Sequence, residues 1–129
     1  MTAQRFYRQV LIETGRPSLE DAKRVTAAVL HALRDRLTAD EADHAAAQLP
    51  RPLKVLWWAG EAEGRRPVKM HRKAFNQRVE REAGLASERE ARQVIRAVFG
   101  ALKEQLSPGE VEDILTQLPK DLKPVWEDA

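Results

Sequence analysis

The chain has 129 residues, no cysteine, and a net charge of +2 from 22 basic and 20 acidic residues. That length fits one domain able to bury a core of its own. The absence of cysteine excludes a disulfide framework and any thiolate metal site, the near-balanced charge gives no general affinity for nucleic acid, and no segment approaches the roughly 20 apolar residues of a membrane span.

The opening MTAQRFYRQV lacks a long apolar run and does not read as a signal peptide. Few glycines and many Ala, Arg, Glu, Leu and Gln favour helix throughout. A first helix is predicted from about Thr2 to Thr14. Phe6 and Val10 lie four apart on one face, and Gly15 tolerates the left-handed turn that ends many helices. A second helix opens at Ser18, with Asp21 three residues on as a variant capping box, and runs to about Leu37. At about 100° per residue, Ala22, Val25, Val29 and Ala32 form one apolar stripe. Thr26, Leu30, Leu33 and Leu37 form a second beside it. Together they cover about half the circumference, so this helix is predicted to sit at the centre of its unit, with His31 opposite the arc.

A third helix opens at Thr38, with Glu41 three residues on, and offers only Ala42, Ala45 and Ala46 as an apolar face. It is predicted to stop at Gln48-Leu49, because a residue before proline is pushed out of the helical region. Pro50 then suits the first turn of a short fourth helix. Leu49, Leu53, Leu56 and Trp57 reach a common apolar face across that corner, and Gln48 is placed to satisfy backbone groups freed at the break. The segment AGEAEGRRPVKM, residues 59–70, is the one clear linker.

Beyond it the pattern begins again. Shifting the chain by 69 residues pairs Phe6, Val10, Glu13 and Gly15 with Phe75, Val79, Glu82 and Gly84, and Ser18, Ala22 and Val25 with Ser87, Ala91 and Val94. It pairs Ala28, Val29, Ala32, Leu33, Leu37 and Glu41 with Ala97, Val98, Ala101, Leu102, Leu106 and Glu110. Gln48-Leu49-Pro50 falls on Gln117-Leu118-Pro119, Leu53-Lys54 on Leu122-Lys123, and Trp57 on Trp126. These are 19 identities over the 56 positions from Ala74 to Ala129, without a gap. The second unit therefore predicts helices over about Met70 to Ala83, from Ser87 (with Glu90 as capping partner) to Leu106, from Ser107 with Pro108 at its first position, and after Pro119. Gly100 takes the place of His31, and Val111, Ile114 and Leu115 take the places of the three alanines. The expected fold is all-α: a single domain over 1–129, made of a first repeat (1–60) and a second (70–129), each of about four helices. A unit of about 60 residues is marginal alone, so the two are expected to pack on each other about an approximate two-fold axis.

The doubled capped helix with its Ala, Val and Leu spacing, the paired Gln-Leu-Pro and the tryptophan after each resemble a bacterial family known as domain of unknown function 2267. The resemblance covers nearly the whole chain. It implies an all-helical cytoplasmic protein with no established activity, substrate or cofactor, and it assigns no functional residues. The alanine-rich third helix of the first unit departs from the repeat.

Among chemical constellations, Glu41 and His44 form an E-x-x-H spacing, with Asp40 beside them, as metal sites in helical bundles use. The second unit has Glu110 and Asp113 but no histidine, so a solvated first turn is the preferred reading and no metal or other cofactor is assigned. Glu13 and Glu82 recur before the helix-ending glycines; a shared hydrogen bond or salt bridge is preferred to a carboxylate pair. His31, His44 and His71 have no histidine counterparts, and no nucleophile elbow, phosphate loop or dinucleotide fingerprint is present. The basic cluster Arg65, Arg66, Lys69, Arg72 and Lys73 reads as a solvated connector, with a phosphate or acidic partner as the alternative. Trp58 has no aromatic counterpart and is expected at the seam between units or on a partner surface. The sequence thus favours a non-catalytic interaction or structural protein, with an unknown protein partner preferred. Nucleic-acid binding through residues 65–73 stands second and a metal or enzymatic site third, with oligomeric state open.

Overall fold

A computed structural model describes residues 2–61 and 66–129. Among these residues there are eight α-helices and no strand. They are α1 (Ala3–Thr14), α2 (Leu19–Arg36), α3 (Ala39–Ala47), α4 (Arg51–Trp58), α5 (Arg72–Ala83), α6 (Glu88–Gln105), α7 (Pro108–Gln117) and α8 (Lys123–Asp128). No helix is long and apolar enough to cross a membrane among the described residues.

Local chemistry sets most of the ends. Thr2, Ser18, Thr38, Ser87 and Ser107 are N-caps, each accepting a hydrogen bond from the backbone N–H three residues on. Gly15 (φ 66°) and Gly84 (φ 64°) end α1 and α5 in the left-handed region, where a side chain would be strained. Three helix starts differ from the expected ones. Helix α5 starts at Arg72 rather than Met70, because His71 takes the extended N-cap geometry and Met70 is drawn into the core. Pro50 stands just outside α4 as its N-cap, and α8 begins only at Lys123, after a turn following Pro119. In both places the proline ends one helix and a second proline, Pro52 or Pro124, occupies the first turn of the next.

The helices of the two halves interleave. Helix α1 packs most extensively on α6, and α2 on α5, each more than on any one helix of its own half. Helices α2 and α6 are the hubs: α2 touches α1, α4, α5 and α6, while α6 touches α1, α2, α5 and α8. That explains the breadth of their apolar faces. Ala22, Val25, Val29, Leu30, Ala32, Leu33 and Leu37 are fully buried, as are Phe99, Ala101 and Leu102. One continuous core runs from Phe6 through Trp57 and Phe75 to Trp126. Each large apolar side chain in it contributes about 1.5–3 kcal/mol by leaving water. The thin face of α3 is accommodated in this core: Ala42, Ala45 and Ala46 are all buried, and α3 packs against α4 and α7.

Candidate functional sites

The two Gln-Leu-Pro corners sit at the seam where α3 meets α7. Gln48 Oε1 accepts from the backbone N–H of Ser107 at 2.7 Å, and its Nε2 donates to Ser107 Oγ at 3.2 Å. Gln117 Oε1 accepts from the backbone N–H of Thr38 at 2.9 Å, and its Nε2 donates to Thr38 Oγ1 at 3.2 Å. Each glutamine thus seals the N-cap residue of the other half's helix. Proline stops the helix and leaves the glutamine side chain at the corner, where it reaches across the seam rather than to its own broken end.

This exchange changes the role of the glutamates three residues into α3 and α7. In a capping box the third residue reaches back to the N-cap N–H. Glu90 bonds in this way to the neighbouring Ala86 N–H at 2.8 Å. At Thr38 and Ser107 the N–H is already taken by glutamine, and Glu41 and Glu110 turn inward. Both are buried, at 8% and 5% exposure, and Oε2 of each has no hydrogen-bond partner among the described residues. Carboxylate oxygens of both and a ring nitrogen of His44 lie within 4.8 Å of one another. Burial, the adjoining Glu41 carboxyl with its negative charge, and the negative charge of Asp113 push the Glu110 carboxyl up to about 8. His44 and Asp40 are exposed, His44 at the rim of the pair and Asp40 outside the trio. The sequence sets Glu41 beside His44 and aligns Glu110 with Glu41, but carries no local sign that the two glutamates meet.

The basic cluster lies elsewhere. Arg65 is outside the described residues; Arg66, Lys69, Arg72 and Lys73 are exposed. The Asp121 carboxylate accepts from the backbone N–H of Arg72 at 3.1 Å and so offsets the cations at the start of α5. Arg72 then joins Arg89, Arg92 and Arg96 of α6 around a cleft of about 400 Å³, with Ile95, Val125 and Pro124 also in its walls and Asp128 at its edge. A smaller neighbouring cleft adds Lys73. The arginines of α6 are spaced by three and four residues, a one-face pattern present in the sequence but overshadowed there by the connector.

The remaining candidates have structural partners. His31 is half-buried, with Nδ1 2.6 Å from Glu82 Oε2 and Nε2 2.7 Å from the Leu56 carbonyl, so it bridges α5 and α4. Glu82 therefore takes the helix-end hydrogen bond, with His31, while Glu13 lines a separate cleft beside Gly100 and Lys103. His71 is exposed, 3.7 Å from Asp121. Trp58 is partly buried against the core, edge-on to Trp57.

No curated protein matches the chain. A family model covers residues 3–125, nearly all of the helical core. The chain belongs to the family described as uncharacterized conserved protein (DUF2267).

Proposed function

We propose that this is a non-catalytic interaction protein of the bacterial cytoplasm, built from two copies of one four-helix unit facing each other about an approximate two-fold axis. The gapless 69-residue register supports the duplication, and the reciprocal glutamine contacts support a symmetric seam. The observation that points to a partner is the arginine-lined cleft between α5, α6 and α8. Four guanidinium groups above apolar walls match an acidic peptide or helix, whose carboxylates meet the arginines while its apolar side chains enter the cleft. The register supports a role special to the second unit, because Glu20, Lys23 and Ala27 stand where Arg89, Arg92 and Arg96 do.

Affinity capture from bacterial cells, with and without nuclease, tests this reading. A protein partner retained after nuclease and lost on the double substitution Arg92→Glu, Arg96→Glu supports it. Capture unaffected by the double substitution overturns the assignment to this cleft. The second reading is nucleic-acid binding through residues 65–73, favoured by the adjacency of Arg72 and Lys73 to the α6 arginines. It requires affinity for duplex DNA or RNA that falls steeply with salt. Among the described residues no aromatic ring lines the cleft for base stacking, which ranks it below a protein partner.

A further inference from the structure

We infer that Glu41, Glu110 and His44 form a site for one divalent first-row transition-metal ion, held between α3 and α7. The inference goes beyond the arginine cleft and does not depend on it. Its basis is an imbalance of hydrogen-bonding groups. Two carboxylates are more than nine-tenths buried side by side, and each retains an oxygen with no donor among the described residues. The glutamines have taken the N–H groups that would have served them. Acceptor-only oxygens facing one another are satisfied by a proton or by a cation. The third group of the cluster distinguishes these: His44 brings a ring nitrogen within 4.8 Å of both carboxylates.

Ligand chemistry narrows the ion. Two carboxylates and one imidazole suit zinc, iron or manganese better than magnesium or calcium, which prefer all-oxygen shells. Bonds of about 2.0–2.2 Å place adjacent ligand atoms roughly 3–3.6 Å apart in a tetrahedral shell. Binding therefore requires the ligand atoms to draw together from within 4.8 Å, and His44 is the exposed member of the three. Glu41 and His44 are three apart on one helix, the spacing helical metal proteins use to present two ligands to one ion. Three protein ligands leave at least one coordination position for water.

The test uses the full chain after chelator treatment, titrated with Zn²⁺ by calorimetry and followed by thermal unfolding, with Mg²⁺ as contrast. The expected result is one Zn²⁺ per chain and a raised unfolding temperature, with no effect of Mg²⁺ at the same concentration. His44→Ala, an exposed change, should leave metal-free unfolding in place while weakening zinc binding by about tenfold or more. Glu110→Gln should abolish zinc binding, and His71→Ala, which alters another exposed histidine, should leave it unchanged. Absence of stoichiometric zinc, or a zinc response untouched by His44→Ala, overturns the site and leaves a proton shared by the two carboxylates as their sole partner.

Discussion

The ends of α4 and α8 are treated by the same physics with different side chains. In the first half Arg34 is buried at 2% exposure. Its Nη1 donates to the carbonyls of Trp57 at 2.7 Å and Ala59 at 2.8 Å, and its Nε to Asp35 at 2.8 Å. In the second half Lys103, 69 residues later, is half-buried and donates through Nζ to the backbone oxygens of Trp126 at 2.7 Å, Glu127 at 3.2 Å and Ala129 at 3.0 Å. Both place a cation on carbonyls that a helix leaves unpaired at its C-terminus. The difference lies in what else the cation does. Arg34 belongs to a network: Asp35 also accepts from Arg78 of α5, and its carbonyl accepts from the Val68 N–H at 2.7 Å, which ties down the end of the connector. Lys103 bonds within its own half among the described residues and lies over the Trp126 ring. The first half has thus become the anchor of the assembly, while the second carries the cleft.

Removing the two cations should expose that asymmetry most strongly. Arg34→Met is expected to cost about 3–5 kcal/mol, because Asp35 loses one buried partner and two carbonyls lose their donor. Lys103→Met should cost only about 1–2 kcal/mol, since water reaches the freed carbonyls. Chemical denaturation of both variants measures the gap, and equal losses would show that the network adds nothing.

The seam gives the next effect, through pH. Folding raises the Glu110 carboxyl from 4.5 to about 8, so over that window the folded chain holds a proton that the unfolded chain has released. Its contribution is fully present below about pH 4.5 and is lost as pH rises through 8. Metal-free protein should therefore lose roughly 2–4 kcal/mol between pH 5 and pH 9 from this group. Glu110→Gln should flatten the profile and raise stability at the alkaline end. An unchanged slope in the variant would assign the pH dependence to other groups.

The glutamines come next. Gln48→Ala and Gln117→Ala should each cost about 1 kcal/mol, because the freed N-cap groups lie near solvent. Similar losses are expected from both, and a marked inequality in urea denaturation would show that the two contacts are not energetic equivalents. The smallest effect separates the tryptophans. Trp126 Nε1 donates to the Val111 carbonyl at 3.1 Å, whereas buried Trp57 Nε1 has no partner among the described residues. Trp126→Phe should cost about 1 kcal/mol more than Trp57→Phe, as only the former loses a hydrogen bond. Thermal unfolding of the pair checks this.

Much of the helical framework was readable from the chain because its signals are local. The serine and threonine caps, Gly15 and Gly84, and the double stripe of α2 act over one or two turns. Partner choice was not readable in the same way. An apolar face says that a helix is buried but not by which neighbour, and nothing local in α1 says that it packs on α6. Arg34 illustrates the same limit, since an arginine among polar positions reads as solvated until the carbonyls of α4 are brought to it. The glutamates at positions 41 and 110 were readable as capping residues, and Glu41 as a weak metal candidate, but not as neighbours of one another. Their release depends on glutamines from the opposite corner, which only the assembled fold supplies.

The interleaving of α1 with α6 and α2 with α5 bears on how copies of the chain meet during folding. The largest contacts of each half are made with the other, so either half of one molecule presents a surface that fits the opposite half of a second molecule equally well. The connector's tether, by raising the local concentration of the chain's own partner half, favours closure within one chain over exchange between two.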